Sequence, residues 1–133
     1  MLKIDNISLR ALEYSDLELL YEWENNTKIW EVSNTIVPFS KNILSKYLEN
    51  QSQDIFTSKQ LRLIIEFKKN PIGTIELFDY DPLNNRAGIG IWIIDSKREK
   101  GHAKKSLLLL INYSFKHLKL NQLYCNISSN NKN

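Results

Sequence analysis

The stretch Ala87-Gly88-Ile89-Gly90-Ile91-Trp92-Ile93-Ile94-Asp95-Ser96-Lys97-Arg98-Glu99-Lys100-Gly101-His102-Ala103 decides how the chain is read. Its first half is an apolar run of strand length. Its second half is a basic turn, Arg98-x-x-Gly101-x-Ala103, that opens a helix near Ala103. A glycine in such a turn lets the backbone come close to a ligand. The first amides of the following helix, backed by its dipole, then point at negative charge. Lys97, Arg98, Lys100, His102, Lys104 and Lys105 crowd the turn, and Asp95 and Glu99 oppose them. The arrangement is an anion cradle suited to a phosphate or pyrophosphate. The plainer reading of the same charges is a solvated helix start.

Working outward, Leu107, Leu108, Ile111, Phe115 and Leu118 recur at helical spacing, which predicts a helix over residues 103–118 with that stripe buried. A strand follows over residues 120–127. The right-handed crossover rule lays residues 122–127 parallel to residues 89–94. On the other side of the opening stretch the period is two. Leu61, Leu63, Ile65 and Phe67 share one face, residues 68–71 turn, residues 72–80 form the next strand, and residues 81–85 turn again into residues 86–94. This is an antiparallel meander. If the second turn pairs Tyr80 with Arg86, Glu76 faces Gly90, and the bare Gly88 and Gly90 leave room for it over a cavity. Further upstream, residues 7–12 alternate as a strand, and Ser15-Asp-Leu-Glu18 reads as a capping box opening a helix that carries Leu17, Leu20 and Tyr21. Residues 27–39 show no period and are read as an ordered loop or short helix. Ser40 caps another helix with Leu44, Tyr47 and Leu48 on one stripe.

Composition sets the limits. The chain has 133 residues, 42% of them hydrophobic and 25% charged, which fits a single domain able to bury one core. A net charge of +3, with the conspicuous basic residues confined to one turn, argues against a nucleic-acid partner. One cysteine, Cys125, excludes an internal disulfide and fits a reducing, cytoplasmic setting; its position suggests a small residue packed in a buried strand. His102 and His117 have no neighbours at metal-ligand spacing, so no metal site is expected. No apolar run reaches membrane-spanning length, and the N-terminus lacks a signal-peptide pattern, so no membrane association is expected.

The order strand, two helices, meander, Arg-x-x-Gly-x-Ala turn, long helix and strand resembles the GCN5-related N-acetyltransferases (GNAT) over essentially the whole chain. Within that family the phrases Ile7-Ser-Leu-Arg-Ala-Leu-Glu-x-x-Asp16-Leu, Ile72-Gly-Thr-Ile-Glu-Leu and Asn85-Arg-Ala-Gly-Ile-Gly-Ile are similar to the branch of ribosomal-protein alanine and spermidine/diamine acetyltransferases. The resemblance implies an α+β fold, a mixed and mostly antiparallel sheet flanked by helices, and acetyl-CoA as cosubstrate with no metal. It assigns the pyrophosphate to the backbone of Arg98, Glu99, Lys100, Gly101, His102 and Ala103. The pantetheine falls to the main chain of Ile91, Trp92 and Ile93, in a strand that carries a bulge and splays from its parallel neighbour. Asn131 matches a further cofactor contact.

The implied reaction is direct attack of a neutral amine on the thioester, with an oxyanion-stabilising N–H near Trp92 or Ile93. The acceptor is a small-molecule amine, a polyamine or diamine, or a peptide N-terminus. Glu22, Glu24 and Glu31 lie where relatives build the acceptor pocket, with solvated surface charge as their plainer reading. Glu76 is offered as base or amine-binding group, acting through water. Two departures from the family stand out. The chain stops at Asn133, where relatives continue with a tyrosine-bearing helix and one or two strands, and Gly88 stands where polyamine-acetylating relatives often have glutamate. The expectation is a C-terminally truncated acetyltransferase domain; the alternatives are a catalytically impaired acyl-CoA-binding remnant and an assembly or nucleic-acid-binding scaffold. A strand edge left open at residues 122–127 implies a homodimer or a poorly soluble monomer.

Overall fold

Alternation of apolar and polar residues from Leu61 onward becomes, in a computed structural model, the centre of a six-stranded sheet. The structure describes residues 2–25, 38, 40–50, 55–94 and 101–125. The described residues among 2–11 and 55–125 form one compact unit, and those among 12–50 a second.

In the first unit the strands are β1 (Lys3–Ile4), β2 (Ile7–Ala11), β3 (Leu61–Phe67), β4 (Asn70–Asp81), β5 (Arg86–Ile93) and β6 (Gln122–Tyr124), and their spatial order is their chain order. The first five pair antiparallel and β6 joins β5 in parallel. The meander, the parallel return and the mixed sheet are therefore as the sequence implied. The short β1 was not foreseen; a two-residue turn with Asp5 at φ 52° folds it back onto β2. A two-residue turn also joins Phe67 to its partner Asn70, and both central residues, Lys68 and Lys69, are left-handed, the type I′ geometry whose twist suits a hairpin. The ladder shifts between Ile65 and Glu66, and this irregularity accommodates Pro71 near the strand start.

The second unit holds α1 (Leu17–Glu24) and α2 (Lys41–Asn50). Sequence placed the first cap at Ser15 and Glu18. The structure instead caps a 3-10 turn over Tyr14–Asp16, where the buried Asp16 carboxylate accepts the Glu13 amide at 2.8 Å. The Asp16 side chain is short enough to fold back on its own turn, and Glu18 points away to pair with Lys41 at 2.9 Å. Ser40 caps α2 as expected, accepting the Ile43 amide at 3.1 Å. Leu20, Leu44 and Leu48 form the core of this unit, with Leu12, Leu17 and Tyr47 against it. Residues 27–37 and 39, read as an ordered loop, lie outside the described residues.

Returning to the first unit, the single-turn α3 (Ile55–Ser58) precedes β3, and the long α4 (His102–Lys116) packs on β1, β2 and β5. Together they cover one face of the sheet. Leu9, Leu63, Ile65, Ile75, Leu77, Ala87 and Ile93 meet Leu109 and Leu110 there, each burial contributing about 1.5–3 kcal/mol for a large aliphatic side chain. The buried stripe of α4 is not the one its leucines suggested. His102, Ser106, Leu109, Leu110 and Ser114 are buried, and Leu108 and Phe115 are exposed. Five consecutive apolar residues from Leu107 to Ile111 leave the periodicity ambiguous, and the two serines turn inward because each hydroxyl is satisfied by its own helix. Ser106 donates to the His102 carbonyl at 2.8 Å and Ser114 to the Leu110 carbonyl at 2.7 Å.

Candidate active site

On the sheet face opposite that core, alternation brings Glu76 and Phe78 of β4 beside Gly88 and Gly90 of β5. Glu76 pairs with Gly90, as the sequence argued, although the turn is not the one assumed. Asp81, not Tyr80, pairs with Arg86, and an irregularity between Phe78 and Asp81, with Asp79 at φ 50°, absorbs the extra residue. A methyl group on Gly90 would sit 3.5 Å from Glu76 Oε1 and 3.6 Å from its Cγ, so the carboxylate lies over the bare glycine. Gly88 leaves no such room. The Phe78 ring fills the space, 2.5 Å from where a methyl group would stand, so a larger residue at position 88 would require Phe78 to swing aside.

The parallel ladder of β5 and β6 is short. Arg86 pairs with Gln122, Ala87 with Leu123 and Gly88 with Tyr124, and there the pairing ends among the described residues, while β5 runs on to Ile93. The partner of β6 is therefore residues 86–88, not the anticipated 89–94. Tyr124 is held from both sides, by an edge-on Phe78 ring at 6.2 Å and by the Arg86 guanidinium at 5.9 Å. Past Gly88 no further pair with β6 occurs among the described residues, while β5 stays paired with β4. Along β5, Ile91 and Ile93 turn their side chains toward the core, and Trp92 falls on the opposite face by alternation. The implied bulge is not in this ladder, which keeps unbroken register with β4 from Gly88 to Ile93. The local distortion takes another form. The Trp92 carbonyl closes on Gly73, where a methyl group would lie 2.1 Å from its oxygen, so only glycine fits at that point of the ladder.

Gly101, the residue before α4, has φ 73°. This left-handed step costs glycine nothing and turns the chain into the helix one residue earlier than Ala103. A methyl group on Gly101 would meet no described heavy atom within 4 Å beyond its chain neighbours. The first helical bond is donated by the Lys105 amide to the Gly101 carbonyl at 3.3 Å, so the amides of Ala103 and Lys104 belong to the turn that points out of the helix. The His102 side chain goes the other way. It is buried, its ring 4.5 Å from that of Phe67, which anchors the turn to β3.

Arg98, Glu99, Lys100, Asn131 and Glu31 lie outside the described residues. In the second unit Glu22 is exposed and Glu24 is buried on α1. Cys125 is exposed just beyond β6, contrary to the buried position expected of it, because the ladder ends one residue before it. Among the described residues no cluster of metal-ligating side chains occurs, and no helix is long and apolar enough to cross a membrane. Asn85, which the sequence placed only in a turn, reaches 34 residues along the chain to donate from Nδ2 to the Lys119 carbonyl at 2.7 Å.

The family model of the acetyltransferase (GNAT) domain matches residues 6–133. An SPbeta prophage-derived uncharacterized N-acetyltransferase, YokL, of Bacillus subtilis is 26% identical over 115 residues, covering 86% of this chain, which spans 62% of that protein's length. Spermidine N(1)-acetyltransferase of Vibrio cholerae is 27% identical over 129 residues, covering 94% of this chain and 71% of the relative. The crystal structure of the Vibrio cholerae spermidine N-acetyltransferase in complex with CoA and spermine superimposes with a TM-score of 0.80 at 27% identity, over 90% of this chain and 70% of that one.

Proposed function

Because the chain belongs to the GNAT acetyltransferase domain family, we propose that it transfers an acetyl group from acetyl-CoA to a primary amine, with a polyamine or diamine as the preferred acceptor. The observations that carry this reading are the end of the described β5–β6 pairing at Gly88 and the left-handed Gly101 at the start of α4. An extended thioester arm fits an open main-chain edge, and a diphosphate fits the outward amides of a helix turn flanked by lysines. The match to a spermidine acetyltransferase structure with CoA and spermine supports the same assignment.

In this reading the amide groups from Arg98 to Ala103 hold the diphosphate, Ile91, Trp92 and Ile93 align the pantetheine, and Asn131 adds a contact. The amine nitrogen attacks the thioester carbonyl, and a backbone N–H near Trp92 or Ile93 stabilises the oxyanion. A C–N bond forms as the C–S bond breaks; the thiolate leaves with CoA and takes up a proton, and the amine gives up one. Glu76 receives that proton through water, poised beside Gly90. Glu22, Glu24 and Glu31 supply the negative charge that a cationic acceptor needs.

The test is release of free thiol from acetyl-CoA by the full chain with spermidine, a diamine or a peptide bearing a free N-terminus. Turnover with the polyamine is expected, lost in Gly101→Glu. Glu76→Gln is expected to lower kcat by about 10²-fold and to remove the acidic limb of the pH–rate profile, where the base must lose its proton before it can act. Absence of thiol release with every amine, together with no binding of CoA, overturns the reading; an unchanged pH profile in Glu76→Gln overturns the role of Glu76.

A further inference from the structure

We propose that Asn85 is a positioning residue for the acyl-CoA ligand: it fixes the register of β6 on β5 and so sets where their described pairing ends. The inference rests on the acetyl-transfer reading above and adds to it a residue that touches neither substrate.

Asn85 is the last residue of the β4–β5 turn, held at φ 50°, a left-handed conformation that asparagine tolerates better than other side chains. Its side chain reaches in two directions. Oδ1 accepts the Tyr80 hydroxyl of β4 at 3.1 Å, and Nδ2 donates to the Lys119 carbonyl, in the loop that leads from α4 into β6, at 2.7 Å. Its own carbonyl accepts the Asn121 amide at 2.8 Å. The next residues along each chain, Arg86 and Gln122, are the first pair of the parallel ladder. Asn85 thus clamps the approach to β6 at the point where the register is chosen.

The clamp matters because the ladder it starts is weak. Among the described residues three parallel pairs carry it, and parallel pairing is slightly less stable per residue than antiparallel. A slip of one residue would turn Leu123 out of the core and carry Tyr124 away from Phe78 and Arg86. It would also move the point at which the described β5–β6 pairing ends, and with it the stretch of β5 main chain that the acetyl-transfer reading assigns to the pantetheine. The Asp81 carboxylate steadies the same turn from its other end, accepting the amides of Leu83 and Asn84 and the Asn84 side chain. It does not reach the loop before β6.

The test uses the full chain and Asn85→Gly, which keeps the left-handed backbone and the carbonyl acceptor but removes both side-chain bonds. Three quantities are measured: the acetyl-CoA dissociation constant by calorimetry, kcat and KM with spermidine, and amide exchange in β6 with β4 as reference. Acetyl-CoA Kd and KM are expected to rise about five- to tenfold with kcat within about twofold, a loss of the size expected for a missing hydrogen bond. Exchange in β6 is expected to accelerate while β4 stays protected. Asn85→Asp should be worse than glycine, since a carboxylate oxygen would face the Lys119 carbonyl, and Tyr80→Phe should be milder than either. A purely structural role would lower the melting temperature and the active fraction, reducing kcat at unchanged KM; that result overturns the proposal. So does an Asn85→Gly chain that binds acetyl-CoA as tightly as the parent. If the parent itself binds no acetyl-CoA, the acetyl-transfer reading fails first and this one falls with it.

Discussion

Gly73 and Gly101 are both irreplaceable, for opposite reasons. At Gly73 a side chain has no space, since its first carbon would lie 2.1 Å from the Trp92 carbonyl oxygen. At Gly101 it has space but the wrong backbone, at φ 73°. Gly73→Ala is therefore expected to cost about 3 kcal/mol through overpacking against main chain, and Gly101→Ala about 1 kcal/mol through its left-handed conformation. Urea denaturation of the two variants measures both, and the order of the two costs is the point at issue. Asp81 gives a pH dependence of known sign. The hydrogen bond from the Asn84 side chain, aided by the Asn84 and Leu83 amides and the nearby Arg86, holds its carboxyl below the ordinary aspartate value. A folded-state pKa lowered in this way contributes stability above the unfolded pKa and loses it as pH falls through the folded one. Titration of Asp81 followed by NMR should show a midpoint below that of an unstructured aspartate, and Asn84→Ala should raise it. Neither glycine's reason was readable beforehand. Gly101 stood out because a basic turn before a helix has a recognisable residue pattern, whereas the demand at Gly73 comes from a carbonyl 19 residues away.

Strands were more legible than helix faces, and the cause is geometric. In β3 to β5 the side-chain period of two leaves little freedom, so Leu63 and Ile65 could be placed on the core face and Glu76 opposite Gly90 before any coordinates. Even the irregularity before Asp81 left that pairing intact, because it sits between the turn and Phe78. Helix α4 was harder. Apolar residues surround most of it, and a stripe drawn through Leu108 and Phe115 ignores that small residues allow closer approach to a sheet. Ser106 and Ser114 take the buried positions instead, each fully buried. The expected consequence is that Ser114→Ala changes stability by no more than about 0.5 kcal/mol, since the hydroxyl bonds within its own helix, while Ser114→Leu costs about 2 kcal/mol or more by overpacking. Thermal melts of the pair decide whether α4 sits on the sheet as tightly as this requires. The second cap followed Ser40 as written in the sequence, but the first moved to Glu13 and Asp16, because several acidic and hydroxyl residues in a row compete for one set of amides.

For the molecule as a whole, a ligand that binds the folded chain alone must stabilise it by mass action. Acetyl-CoA at a hundred times its dissociation constant should add about 2.7 kcal/mol, a rise in Tm of roughly 5–10 °C for a chain of this size. A titration in which Tm stays flat to millimolar acetyl-CoA would count against the cradle. Gly101→Glu should flatten the titration, and its unliganded melt should fall no further than that of Gly101→Ala, which shares the left-handed cost. The topology carries a further consequence for the order of assembly. The first five strands of the sheet meet through antiparallel pairings, two of them closed by two-residue turns. Strand β6 can dock only after α4 has crossed the sheet, a closure over more than thirty residues for three rungs of reward. Strand β6 is thus paired at the end of folding, and on the acetyl-transfer reading a nascent chain reaches native-like secondary structure well before it can hold acetyl-CoA.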